Sequence, residues 1–248
     1  MCFGPEAQPP EPPRAGWLAG HDRTALVAAD GAAPAATVAR TTADSAPGVV
    51  ILPDVRGLHP YYERLALAFA GAGIHAVAID FYSRTAGTAH RDADFEFAPH
   101  RAQVIDAHVV ADAAAGAGAL RDLGVTRIYA LGFCFGGRGA LLQAAEPEWS
   151  GAVGFYGFPA RTGPEGRSPL GDARDGRVRA AVLALYGEED DKIPAEDREA
   201  YAAALTAAGV DHQSAVYPGA GHSFFDRRMH EQTEACADAW RRVLAFIR

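Results

Sequence analysis

Leu131-Gly132-Phe133-Cys134-Phe135-Gly136-Gly137 is the most informative segment of this chain. The apolar run from Arg127 to Leu131 precedes the cysteine and is typical of a buried strand, and the residues from Arg138 to Ala145 favour a helix. The flanking glycines lack a Cβ atom where a sharp turn would bring the strand and helix backbones together. The segment therefore predicts a strand–turn–helix unit that lifts the side chain of Cys134 to the top of a parallel sheet.

A thiol at this position would lie at the N-terminus of the following helix. The helix dipole and the unpaired N–H groups there favour the thiolate form of cysteine. The segment thus indicates nucleophilic attack by sulfur. An isolated cysteine is more often an inert small apolar residue, and this is our interpretation of Cys2 and Cys236. Cys134 differs because the glycine pattern and the strand–turn–helix context coincide at it.

The bulk composition restricts the class of protein. The chain has 248 residues, 49% of them hydrophobic, which suits one large α/β domain. Its formal net charge of −8 and the lack of a basic tract argue against nucleic acid or an anionic membrane as a partner. Three cysteines without metal-ligand or disulfide spacing indicate a reducing cytoplasm. We expect no secretory signal and no membrane span.

Apolar segments alternate between strand-like and helix-like patterns. Residues 1–20 form a Pro-rich arm, and residues 21–248 form the predicted domain. The predicted strands are 48–52, 75–79, 127–131, 152–156, 180–186 and 212–217, and the predicted helices are 61–72, 101–123, 138–145, 195–208 and 231–247. This alternation predicts a single-domain α/β fold with a mostly parallel central sheet and helices on both faces.

An acid and a base follow two of the later strands, where sites in such sheets form. Residues 187–194 (GEEDDKIP) make an acidic turn, and residues 218–224 (PGAGHSF) contain His222. A histidine could deprotonate the thiol while a carboxylate orients its ring. The order along the chain is cysteine, acid, histidine. The acid could be any of four residues, Glu188, Glu189, Asp190 and Asp191, and we favour Asp190 by its position after the glycine.

Together these segments resemble the dienelactone hydrolase family from about Pro47 to the end of the chain. The resemblance implies an α/β-hydrolase fold and cofactor-free, metal-free opening of lactones and esters. It assigns Cys134 as nucleophile, Asp190 as orienting acid and His222 as base. It also places the oxyanion hole at the backbone N–H groups of Phe135 and Val55.

Two positions depart from the family pattern. The family has a glutamate that helps to activate the thiol, and this chain has the shorter Asp54, which could instead pair with Arg56. One of two arginines that bind the substrate carboxylate in the family matches Arg84. The other falls on Asp226, where an acid would repel a carboxylate unless Arg227 or Arg228 turns inward.

Three further residues are candidates for substrate binding. His100 lies in the irregular segment 81–100, which could line the pocket. Tyr82 and Phe224 are each, taken alone, more typical of packing residues, but because they follow predicted strand ends they could form an apolar wall of the pocket.

We therefore predict a cytoplasmic hydrolase that cleaves a small ester or lactone by acyl-thioenzyme chemistry, as a monomer or homodimer. Three alternatives remain open: an acyltransferase or cyclase that uses the same acyl-enzyme, a degenerate hydrolase fold that only binds a ligand, and a redox-sensing Cys134.

Overall fold

The computed structural model describes residues 8–11, 16–226 and 228–247. Its centre is an eight-stranded sheet in the order β1-β2-β4-β3-β5-β6-β7-β8. The strands are β1 (Leu18–Ala25), β2 (Ala35–Thr41), β3 (Gly48–Leu52), β4 (His75–Ile79), β5 (Ile128–Phe133), β6 (Gly151–Phe155), β7 (Ala181–Gly187) and β8 (His212–Tyr217). Strand β2 is antiparallel to both β1 and β4, and every pairing from β4 to β8 is parallel.

Helices cover both faces of the sheet. They are α1 (Pro60–Gly71), α2 (Ser83–Ala86), α3 (Ala98–Arg101), α4 (Asp106–Asp122), α5 (Phe135–Gln143), α6 (Pro169–Arg174), α7 (Ala195–Ala207) and α8 (Thr233–Ile247). Strands β3 and β5 are buried along their whole length and consist largely of apolar residues, as expected for parallel strands covered on both sides. Alternate side chains of these strands therefore enter two separate cores, one on each face. None of the helices in the described ranges is long and apolar enough to cross a bilayer.

The predicted α/β fold with a mostly parallel sheet is confirmed. All six predicted strands are present, with ends shifted by at most two residues. The sequence analysis missed β1 and β2. Most side chains of β1 are exposed, so its sequence lacks the alternation of apolar and polar residues that would identify it as a strand. It also missed the short helices α2 and α6. Because β1 begins at Leu18, the last residues of the predicted Pro-rich arm belong to the sheet, while residues 1–7 and 12–15 of that arm lie outside the described residues.

One predicted helix, 101–123, is wrong as a single element. The structure has α3 and α4 instead, separated by residues 102–105. Ile105 is extended at the start of α4, with a ψ of 160°. The break places Asp106 in the first turn of α4, where its carboxylate binds Arg138 of α5. A contact between elements thus overrides the local helix preference.

The turn between β5 and α5 is the tightest backbone approach near the sheet edge. A Cβ on Gly136 would overlap the carbonyl oxygens of Leu52 and Pro53, and one on Gly132 would overlap the carbonyl of Gly136. Only glycine allows these main chains to meet. The packing of β3, β5 and α5 therefore fixes the turn that carries Cys134.

We expect Gly136→Ala to lower the free energy of unfolding by about 3 kcal/mol or more, because the new methyl group meets rigid backbone atoms. Chemical denaturation monitored by circular dichroism measures this change. Gly118→Ala in α4 is the matched control, since a Cβ there meets no atom within 4 Å. The control should be neutral or more stable by up to about 1 kcal/mol, from the helix preference of alanine. Equal stability of the two variants would contradict the steric argument.

Candidate active site

Cys134 occupies a strained turn at the carboxyl end of β5. Its φ of 53° and ψ of −110° lie outside the regions that L-residues usually adopt. Its backbone N–H donates to the carbonyl of Phe155 at 3.0 Å, which ties the turn to the end of β6. Strain of this kind persists only where surrounding structure imposes it, and it is concentrated at functional sites. The predicted nucleophile position is therefore presented by the fold at the expected edge of the sheet.

The two described cysteines have different environments. Cys134 is partly exposed and directly precedes the first residue of α5. Cys236 is buried in α8, its Sγ donates to the carbonyl of Phe224, and burial raises the pKa of its thiol to about 12. A thiol with such a pKa is a poor nucleophile at neutral pH. Of these two thiols, Cys134 has the environment that suits reactivity.

His222 and Asp190 form a close pair after β8 and β7. The distance from His222 Nδ1 to Asp190 Oδ2 is 2.7 Å, and both side chains are almost fully buried. The other oxygen of Asp190 accepts the backbone N–H of Lys192 at 3.0 Å, which fixes the carboxylate. With the Nδ1 proton held by Asp190, the Nε2 lone pair is available to take a proton. Nε2 has no hydrogen-bond partner within the part of the chain that the structure describes.

Two aromatic side chains after β6 pack against the His222 ring. The ring centroid of Tyr156 lies 5.1 Å from that of His222, and that of Phe158 lies 5.6 Å from it. Tyr156 has a φ of 38°, a second strained non-glycine residue at this edge. Its buried hydroxyl has no hydrogen-bond partner among the described residues, and burial raises its pKa well above the ordinary value. These rings form an apolar wall that holds the imidazole in place.

The loop after β3 carries the predicted oxyanion donor Val55. Asp54 is completely buried, and its carboxylate accepts from the N–H and the guanidinium of Arg56 at 2.9–3.0 Å. The hydroxyl of Tyr82 donates to the carbonyl of Val55 at 2.9 Å. The Val55 amide donates to no acceptor among the described residues. Hydrogen bonds therefore hold the loop on both sides of the Val55 amide, and its N–H group is left to donate to a ligand.

Asp226 lies in the same charged cluster. It is buried, accepts from the hydroxyl of Tyr62 at 2.9 Å and lies 3.7 Å from the Arg56 guanidinium. Burial acts to lower the pKa of Arg56, but the surrounding negative charge raises it above its usual value. Arg228 pairs with Glu231 at the surface and does not turn inward. Arg227, the other candidate for an inward turn, lies outside the described residues.

The other residues predicted to bind substrate already have protein partners. Arg84 pairs with Asp112 at 2.8 Å and with Asp30 at 2.6 Å. The ring of His100 stacks on Phe95, and its Nδ1 lies 2.9 Å from the hydroxyl of Thr85. Tyr82 and Phe224 are fully buried, so the structure places them in the packing beneath the site.

Sequence analysis missed the charged groups of α5 and of the loop after β6. Arg138 is buried and forms a two-bond ion pair with Asp106, at 2.6 and 2.9 Å. It also donates to the carbonyls of Arg161 and Arg167, which holds the segment after β6 against the turn. No local pattern links these residues, since their contacts depend on the tertiary fold.

An eight-stranded sheet with a strained cysteine turn after β5, an acid after β7 and a histidine after β8 that contacts this acid is typical of an α/β-hydrolase. The model of the dienelactone hydrolase family matches residues 35–248. The chain belongs to the dienelactone hydrolase family and is a carboxylic ester hydrolase.

Named relatives cover most of the chain. A protein of Yersinia pestis, provisionally named carboxymethylenebutenolidase, is 33% identical over 213 residues, which are 81% of this chain and 77% of the relative. A protein of the same provisional name from Escherichia coli strain K12 is 34% identical over 212 residues, 82% of this chain and 76% of that protein. The crystal structure of a provisionally named dienelactone hydrolase from Klebsiella pneumoniae superposes with a TM-score of 0.81 at 29% identity. The superposition covers 92% of this chain and 98% of the Klebsiella pneumoniae protein.

We expect Tyr82→Phe to lower kcat for ester hydrolysis about fivefold, the equivalent of one hydrogen bond worth about 1 kcal/mol, with little change in KM. The reason is the loss of the bond that positions the Val55 carbonyl, and steady-state kinetics on p-nitrophenyl acetate measures it. Tyr217→Phe is the control, because the Tyr217 hydroxyl bonds Asp238 of α8 instead. Unchanged kcat in Tyr82→Phe would refute a positioning role for this hydroxyl.

Proposed function

We propose that this chain hydrolyses a small ester or lactone through an acyl-thioenzyme, with Cys134 as nucleophile, His222 as base and Asp190 as the acid that orients the imidazole. The observation that carries the proposal is the 2.7 Å contact between His222 Nδ1 and Asp190 Oδ2, at the same sheet edge as the strained Cys134. This contact selects the tautomer in which Nε2 can accept a proton.

The reaction proceeds in two halves. His222 Nε2 takes the thiol proton of Cys134 while Sγ attacks the carbonyl carbon, and the tetrahedral intermediate collapses with cleavage of the C–O bond. The leaving oxygen takes the proton from His222. Water, deprotonated by the same nitrogen, then attacks the thioester, which releases the acid and returns the proton to sulfur. No cofactor or metal enters this scheme.

Two backbone amides are suited to stabilise the oxyanion. Phe135 is the first residue of α5, so its N–H has no acceptor within that helix. The Val55 amide is held in place by the bonds that Asp54 and Tyr82 make to the same loop. Asp54 then contributes by fixing this loop through Arg56. Donors held in advance at the position of the developing charge provide a large part of the rate enhancement in acyl transfer.

The names of the relatives support the substrate class. Besides the carboxymethylenebutenolidases, a Bradyrhizobium protein that is 28% identical over 214 residues has a name that denotes a lactonase of a furanone-bearing propanoate. A sulfur nucleophile suits esters with good leaving groups, such as enol lactones, better than amides. A cytoplasmic location and a monomeric or homodimeric state remain predictions.

We expect Cys134→Ala to lower kcat/KM on p-nitrophenyl acetate by about 10³-fold or more, and Asp190→Asn to lower it by at least about 10²-fold, because each removes a member of the proposed set. Steady-state kinetics measures both effects. Intact mass during turnover should show an acetyl adduct on the wild type and none on Cys134→Ala.

Cys236→Ala serves as the matched thiol control and should retain both activity and adduct, after correction for any loss of folded protein. Full activity of a folded Cys134→Ala variant would overturn the proposal. Transfer of the acyl group to an added alcohol in preference to water would indicate the acyltransferase instead.

A further inference from the structure

Residues 157–167, which follow β6, supply one of the contacts that position the candidate base. The ring of Phe158 packs against the imidazole of His222, with ring centroids 5.6 Å apart and ring planes tilted by 33°. Tyr156, directly after β6, contacts the same imidazole with centroids 5.1 Å apart. Two aromatic rings, together with the Asp190 carboxylate at Nδ1, therefore define where the imidazole lies.

The two rings are held in different ways. The backbone N–H of Tyr156 donates to the carbonyl of Leu185 in β7 at 2.7 Å, so this residue continues the pairing of the sheet. Phe158 lies beyond the sheet, and within the described ranges its backbone forms no hydrogen bond to another main-chain group. The position of the Phe158 ring therefore depends on what holds the rest of its segment.

Arg138 of α5 attaches the outer part of this segment to the cysteine turn. Its Nε donates to the carbonyl of Arg161 at 2.8 Å, and its Nη2 donates to the carbonyl of Arg167 at 2.7 Å. The same guanidinium makes two bonds to Asp106, at 2.6 and 2.9 Å. The backbone N–H of Arg138 donates to the carbonyl of Cys134 at 3.1 Å. One residue thus joins the turn, the start of α4 and the segment after β6.

Close packing fixes both ends of the stretch that contains Phe158. At its start, a Cβ on Gly157 would lie 2.7 Å from the carbonyl carbon of Gly137 in α5. Further along, a Cβ on Gly163 would overlap the carboxylate of Asp106 and the guanidinium of Arg138. The first contact involves main chain alone. The second depends on side chains, and above all on Arg138.

The geometry of this contact requires arginine. A carboxylate and two carbonyls in different directions are bound at once, which the planar guanidinium achieves with its five N–H donors. The ammonium of lysine has three donors on a single atom and cannot reproduce this arrangement. Both Arg138 and Asp106 are buried, so neither can replace the other with water at little cost.

We propose that Arg138 is a positioning residue for the acid–base chemistry of His222. It holds residues 157–167 so that the Phe158 ring keeps the imidazole in line with Asp190. This inference rests on the proposed function, in which the imidazole moves a proton in both halves of the reaction. Arg138 touches no reacting group and acts through Phe158. A small displacement of a group that transfers protons lowers the rate more than it lowers binding.

In Arg138→Gln we expect kcat on p-nitrophenyl acetate to fall about tenfold, with KM changed by less than about twofold, because both halves of the reaction use the same imidazole. Arg138→Lys should recover part of the loss. Gly163→Ala should reproduce it, since the new methyl group displaces the same segment without removing a charge. Steady-state kinetics measures each effect, with rates referred to folded protein by chemical denaturation.

The control is Arg177→Gln, which removes an arginine that pairs with Asp172 and Asp175 and should leave kcat unchanged. A double-mutant cycle with Phe158→Ala separates positioning from a purely structural role. If Arg138 acts through Phe158, Arg138→Gln should lower kcat by less than about twofold further in the Phe158→Ala background. Losses that multiply, or an unchanged kcat with lowered stability in Arg138→Gln, would overturn the inference.

The NMR resonance of the His222 Hε1 proton reports the same contact without turnover, because the nearby Phe158 ring shifts it by its ring current. The resonance should move in the same direction in Arg138→Gln as in Phe158→Ala and stay in place in Arg177→Gln. A resonance that does not move in Arg138→Gln would overturn the inference even in an active enzyme. Conversely, a wild type without esterase activity, in which the resonance still depends on Arg138, would contradict the proposed function and still support positioning of the imidazole by Arg138.

Discussion

The structure depends on a close approach of main chains at the end of β5. Side chains are excluded where Gly132 faces the first turn of α5 and where Gly136 faces the carbonyls after β3. This packing forces Cys134 to a φ of 53° and places it at the helix N-terminus. It also brings the Phe135 amide beside the loop that carries Val55. Since one steric constraint sets both the position of Cys134 and that of the Phe135 amide, the geometry of the candidate site follows from the packing of the sheet.

Pairs of oppositely charged or hydrogen-bonding side chains hold the loops and helices around this turn. Buried charges close to the site occur with partners: Asp54 with Arg56, Asp106 with Arg138, and Asp190 with His222. An uncompensated buried charge would cost several kcal/mol, so these pairs also hold the loops that contribute them.

The extent to which the sequence predicted the fold follows from how each element is stabilised. Strands β3 to β8 are short, and most are apolar and bounded by glycine or acidic residues, so their pattern is visible locally. Strand β1 is mostly exposed and is held by its pairing with β2. Its sequence therefore shows no clear pattern of apolar residues. The break between α3 and α4 depends on the contact of Asp106 with Arg138, 32 residues further along the chain.

By itself the sequence determined which chemical groups follow which strands: a cysteine between glycines, then an acidic turn, then a histidine. These are local properties, because the turn and the strands that precede them are specified by neighbouring residues. Only the tertiary structure decided which of the four acids meets His222, and that Arg84 is held by Asp112 and Asp30. These outcomes depend on distances between residues far apart in the chain, which are set by how the sheet, helices and loops pack together.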